Sequence, residues 1–160
     1  MKNKWNCKLF FFTFLMPLMV GATTNTMANG QPLVAELKVF EVDAQKKSKK
    51  VLSTTDQVKP KATLEYSVEY ANVSNKALKN LKLNLPLPDF VSYTGLSSPK
   101  DVYASLDGKH FEKAPLTRVE NGKKVQIPLS EYRALQWSVS ELKPKQKIVV
   151  NAQARVNGAE

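Results

Sequence analysis

The chain has 160 residues, 24 Lys and Arg against 14 Asp and Glu, and a formal charge of +10. A single Cys and a single His leave no ligand set for a Cys/His transition-metal site. The length holds one ordinary domain and not two.

Residues 1–8 carry Lys2, Lys4 and Lys8 with no acid, and Leu9 to Val20 is almost wholly apolar. The small-residue exits Val20-Gly21-Ala22 and Thr26-Met27-Ala28 follow. A basic, then apolar, then small-residue order describes a secretory signal peptide over residues 1–28, with cleavage after Ala22 or Ala28. The apolar run is about a dozen residues, short of the roughly 20 that a membrane-spanning helix needs. The expected mature domain is 29–160, with no transmembrane segment. It also lacks thiol chemistry, because Cys7 and all four Met lie in the leader. Losing three lysines lowers the formal charge from +10 to +7.

The mature chain opens with Gln31 to Asp43, where Leu33, Ala35, Leu37 and Val39 share one face and Phe40 and Val42 the other. Ala44 to Lys50 reads as an exposed, Lys-rich loop. Lys46, Lys47, Lys49 and Lys50 form the one dense basic cluster and the candidate contact to an anionic surface. After Lys59-Pro60-Lys61, the residues Leu64, Tyr66, Val68 and Tyr70 alternate with Thr63, Glu65, Ser67 and Glu69. Period two with one apolar face predicts a half-buried antiparallel strand. Asn72 to Lys76 is a turn. Leu81, Leu83, Leu85 and Leu87 form the next apolar row, ended by Pro86 and Pro88, and Phe90 to Leu96 continues extended.

Asp107-Gly108 and Asn121-Gly122 each predict a two-residue hairpin, because both central positions favour positive φ. The expected registers place Ala104 opposite Phe111 in the first, and Glu120 opposite Lys123, Arg118 opposite Val125 and Leu116 opposite Ile127 in the second. Leu135, Trp137 and Val139 then alternate in the penultimate strand. Leu142-Lys143-Pro144-Lys145 leads into a last strand with Ile148, Val150, Ala152, Ala154 and Val156 on one face. No segment after residue 29 has helical periodicity. About eight or nine short antiparallel strands spaced by turns predict an all-β, immunoglobulin-like sandwich.

Four stretches in order resemble the bacterial conserved-repeat surface domain, a domain of unknown function with an immunoglobulin-like fold. They are Lys59 to Asn72, Ala77 to Pro88, Ser105 to Phe111, and Tyr132 to Pro144, with Lys145 where that family usually has Gly. The resemblance implies an extracytoplasmic, non-enzymatic module of cell-envelope proteins and transfers no catalytic residue.

Chemistry is sparse. Acids lack calcium-loop spacing, no Ser sits in a nucleophile elbow, and no glycine loop suits phosphates. Aromatics alternate into strand cores and do not interleave with Lys and Arg, which speaks against nucleic acid. No cofactor is expected. The leading expectation is an exported, non-enzymatic envelope protein, periplasmic, outer-membrane associated or extracellular, acting structurally or by binding envelope proteins or anionic polymers. The alternative is an accessory subunit of a surface fibre or secretion assembly, pairing through the edge of strand 145–156, guarded by Lys145, Lys147 and Arg155. Two minor options are a Lys38–Asn151 isopeptide crosslink and a carbohydrate-acting enzyme with Tyr93, Tyr103 and Tyr132 as its platform.

Overall fold

The computed structural model describes residues 31–43, 45 and 47–158; the expected leader, residues 1–28, lies outside them. The described residues form β1 (Leu33–Asp43), β2 (Ser48–Val51), β3 (Thr63–Asn72), β4 (Leu78–Pro86), β5 (Val91–Ser98) and β6 (Tyr103–Ser105). They continue with β7 (Glu112–Lys113), β8 (Thr117–Glu120), β9 (Lys123–Gln126), a 3-10 turn (Leu129–Glu131), β10 (Ala134–Leu142) and β11 (Lys147–Val156). The protein is all-β, as the period-two patterns require. Ser48 to Lys50, expected in a loop, instead forms most of β2 and pairs with β1.

One sheet has the order β2-β1-β3-β11-β5 and the other β4-β10-β6-β7; β8 and β9 form a separate hairpin. All pairings are antiparallel. The inner rows of both sheets meet in one apolar cluster, in a sandwich-like arrangement. Leu64, Tyr66, Val68 and Tyr70 of β3 join Leu83 and Leu85 of β4, Leu135 and Trp137 of β10, and Val150 to Val156 of β11. Full burial of each such side chain contributes about 1.5–3 kcal/mol. Trp137 and Tyr70 find partners for their polar tips. The Trp137 indole N–H donates to the Pro99 carbonyl (2.8 Å), and the Tyr70 hydroxyl donates to the Asn84 carbonyl (2.7 Å).

The winding departs from the expected immunoglobulin order. In an antibody constant domain the last strand lies in the sheet with strands C and F. Here the last strand, β11, lies between β3 and β5, and the penultimate strand, β10, lies between β4 and β6 in the other sheet. Early strands therefore pair with late ones in nested fashion.

Two matched turns lead into β3 and β11. Lys59-Pro60-Lys61-Ala62 is closed by the Ala62 N–H to the Lys59 carbonyl (3.1 Å), and Lys143-Pro144-Lys145-Gln146 by the Gln146 N–H to the Lys143 carbonyl (3.1 Å). Proline fixes negative φ at the second position, while Lys61 has φ 66° and Lys145 φ 61° at the third. That combination is a type II turn, whose third position favours Gly or Asn. A Lys there costs on the order of 1 kcal/mol.

The hairpins divide. The Asn121-Gly122 hairpin has the expected register, with Glu120 opposite Lys123 and Arg118 opposite Val125, and with φ 51° and 76° at the tip. The Ile127 N–H donates to the Leu116 carbonyl (2.9 Å), extending it. The Asp107-Gly108 segment is not a two-residue hairpin: Ala104 faces Glu112, one residue beyond the expected Phe111. Side chains inside the loop cause the shift. The Ser105 hydroxyl accepts from the Gly108 N–H (2.9 Å), and Asp107 Oδ1 accepts from the Lys109 and His110 N–H groups (both 2.8 Å). These bonds hold a longer loop.

Leu83→Ala, at a fully buried site, is expected to lower unfolding stability by about 2–5 kcal/mol. Val119→Ala, 74% exposed, should change it by less than about 0.5 kcal/mol. Urea unfolding of both variants checks the core assignment.

Candidate functional site

The residues most suggestive of catalysis are Ser105, Asp107 and His110, the chain's one histidine. The fold brings them together, but wires them as a turn lock. The Ser105 hydroxyl donates to Asp107 Oδ1 (2.9 Å), and His110 Nδ1 lies 2.6 Å from Asp107 Oδ2. A carboxylate only accepts, so Nδ1 donates and the acid sits between the other two. A nucleophilic triad needs the imidazole on the serine oxygen. Here Ser105 is buried and receives two backbone N–H groups, while His110 projects into solvent. The His110 amide, then its ring, the Lys109 amide and the Ser105 hydroxyl hold the Asp107 carboxyl well below the usual carboxylate range.

The suggested sugar platform does not form. Tyr93 and Tyr132 are core residues, stacked with ring centroids 6.0 Å apart. Tyr103 is half-buried beneath the Lys82 ammonium, 5.4 Å from its ring centre. Lys38 and Asn151 both lie opposite Ser67, on strands flanking β3. One whole strand separates them, roughly two 4.8 Å spacings, so no amide bond joins them.

The basic cluster is partly neutralised. Lys49 pairs with Glu65 (2.6 Å) and Lys50 with Asp56 (3.4 Å). Lys47 is exposed at φ 50° and Lys46 lies outside the described residues. The local sequence showed four cations; the acids that meet two of them are 6 and 16 positions away.

The expected docking edge is also corrected. β11 is an internal strand, paired with β3 along most of its length and with β5 from Asn151 to Val156. Lys145 donates to the Val73 carbonyl (2.6 Å), and Lys147 pairs with Glu69 (2.6 Å). Arg155 lies between Thr63 of β3 and Ser92 of β5, exposed at the end of the sheet. Deleting 145–156 would remove a core strand and not a surface handle.

The true edges are differently protected. Lysines line β2, as on many solvent-facing edges. On β4, Tyr70 occupies the Asn84 carbonyl, Pro86 has no N–H, and Asn80 twists the strand at φ 53°. The 3-10 turn sits against β5, with Leu129 Cδ1 3.3 Å from where a Cβ on Gly95 would be. Among the described residues, Leu33 to Lys38 of β1 is a further stretch with an uncovered outer side. It pairs with β3 on one side, while β2 reaches only Phe40 to Asp43 on the other. It exposes Val34 (48%) and Leu37 (40%) on opposite faces. No local residue pattern marks this edge, because strand neighbours are set by winding.

Asn72 is structural. Its carboxamide is buried and donates to the Lys76, Leu142 and Lys143 carbonyls (2.8–3.0 Å). It accepts from the Ser74 amide and hydroxyl. The Asn72-Val73-Ser74 sequon therefore presents no free side chain for glycosylation. Among the described residues no group of three His, Cys, Asp or Glu could hold a metal ion, and no helix is long and apolar enough to cross a membrane. Compared with known proteins, the chain matches no family model, no curated protein and no solved structure.

Two titrations check this geometry. Burial pushes the Tyr70 hydroxyl up to about 12 from 10. Its contribution to stability is therefore complete below pH 10 and is lost as pH rises through about 12. Tyrosinate absorbance should show Tyr70, and with it Tyr93, whose hydroxyl burial also pushes up, titrating late and in step with unfolding. Asp107 is depressed, so its contribution is present above its unfolded value of 3.8 and is lost as pH falls below it. The protection of the Lys109 and His110 amides, measured against their intrinsic exchange rates, should be retained at neutral pH and fall only in strong acid.

Proposed function

We propose that this chain is an exported, non-enzymatic cell-envelope protein acting as a binding or structural module. The observation that carries the reading is the leader, in which Lys2, Lys4 and Lys8 precede an apolar run and small residues. A mature chain without cysteine is consistent with it, since the domain then rests on its apolar core. The wiring of Ser105, Asp107 and His110 as a turn lock supports a non-enzymatic role. The four stretches resembling the conserved-repeat surface domain supply β3, β4, the β6 loop and β10. We carry forward from that resemblance the exported two-sheet module, with the last strand placed differently from an antibody domain.

The second reading, an accessory subunit that binds by strand pairing, is favoured by one feature of β1. Residues 33–38 offer a backbone edge that no described residue pairs with, and apolar side chains on both faces, which is what an added strand needs. The pairing element is then β1 and not β11.

Cell fractionation with N-terminal sequencing tests the main reading. The expected result is envelope protein beginning at Thr23 or Asn29, and an unprocessed cytosolic chain would overturn it. For the second reading, Leu37→Lys should abolish co-purification of an envelope partner with less than about 1 kcal/mol change in stability, because the site is already exposed. Unchanged co-purification counts against β1.

A further inference from the structure

We infer that the cleft between the Lys59–Ala62 turn and the C-terminal end of β11 is a binding site for a phosphate monoester group. The cleft is an open surface concavity of about 370 Å³, lined by Lys61, Ser92, Arg155, Val156, Asn157 and Gly158. That is within the range of small-ligand sites, near its lower end.

Its walls are fixed by backbone. The Lys61 N–H donates to the Val156 carbonyl, the Val156 N–H to the Ala62 carbonyl, and the Asn157 N–H to the Phe90 carbonyl, each at 2.9 Å. The Ser92 hydroxyl donates to Asn157 Oδ1 (2.7 Å), and Asn157 Nδ2 donates to the Asp89 carbonyl (3.1 Å). Those side chains are committed to one another, so recognition falls to the two cations. Neither the Lys61 ammonium nor the Arg155 guanidinium has a hydrogen bond or ion pair with another described residue. The nearby acid Asp89 is engaged by Arg133 (3.6 Å).

The twin turn serves as an internal comparison. Lys145 holds the same unfavourable left-handed conformation as Lys61, and its ammonium meets the Val73 carbonyl at 2.6 Å. Lys61 holds it with no internal partner for its charge, yet Gly or Asn would fit the turn better. Strain retained without a structural partner points to a ligand. Arginine supplies a planar fork for two phosphate oxygens and lysine a point charge for a third. Two cations match the two negative charges of a monoester. The site stands on the cleft alone and does not depend on export, so its failure leaves the envelope proposal untouched, and the converse holds.

The test is titration of the purified chain with glycerol 3-phosphate, followed by amide and side-chain NMR shifts. Phosphatidylcholine vesicles containing phosphatidic acid form a second arm, which separates a soluble from a lipid-borne source. The expected result in either arm is saturable binding on the order of 1 mM or tighter, with shifts confined to Lys61, Ser92, Arg155 and Asn157. Arg155→Gln and Lys61→Asn should each weaken it about tenfold, the loss of one charge-assisted contact. Lys61→Asn keeps the turn, since Asn accepts positive φ, so its melting temperature should not fall; a purely structural Lys61 would leave phosphate affinity unchanged. Lys124→Gln, on the distant β8–β9 hairpin, should have no effect. Shifts spread evenly over surface lysines, or binding undiminished in Arg155→Gln, would overturn the site.

Discussion

Two turns far apart in the sequence meet at Asn72. Its buried carboxamide reaches the Lys76, Leu142 and Lys143 carbonyls and receives Ser74. One side chain thereby fixes the β3–β4 turn against the β10–β11 turn, across 70 sequence positions. An unsatisfied amide at that depth would cost about 1–3 kcal/mol, so the two turns can only be placed together. With them placed, β3 lies beside β11 and β4 beside β10, and the rest of the sandwich follows. Lys145 strengthens the same junction by reaching Val73.

What could be read from the sequence is what depends on near neighbours. The rows Leu64–Tyr70, Leu81–Leu87 and Val150–Val156 alternate because each strand buries one face, and the structure buries most of them. Asn121-Gly122 sets its hairpin because the two backbone conformations it needs are local. Asp107-Gly108 looks the same in sequence. There Ser105 and Asp107 compete for the backbone with their own side chains and hold a longer loop. The edge assigned to 145–156 failed for a different reason. Period two tells which face of a strand is buried, not which strands flank it, and both sides of β11 are set by segments far away in the chain.

The same limit explains the charges. A run of lysines shows positive charge, but not the acids folding brings to it. Lys49 and Lys50 meet Glu65 and Asp56, Lys147 meets Glu69, and Arg118 meets both Glu120 and Glu131. These pairs are mostly exposed and each adds little stability. Their effect is on where the excess positive charge remains. It shifts from the cluster legible in the sequence to positions such as Lys61 and Arg155, which are distant in sequence and adjacent in space.

The nested pairing has a kinetic meaning. β3 is hydrogen-bonded on one side to β1, which precedes it closely, and on the other to β11, which follows it far along the chain. A chain emerging from its N-terminus can form the β1–β3 ribbon early, but the core stays open until residue 156 has appeared. Contacts of such long sequence separation form slowly. Vectorial synthesis therefore leaves the core incomplete until β11 has been made, and the sheet closes only in that late step. A premature stop before β11 would leave β3 with a bare edge, so shortened products of this chain should be cleared or aggregate and not accumulate as partial domains.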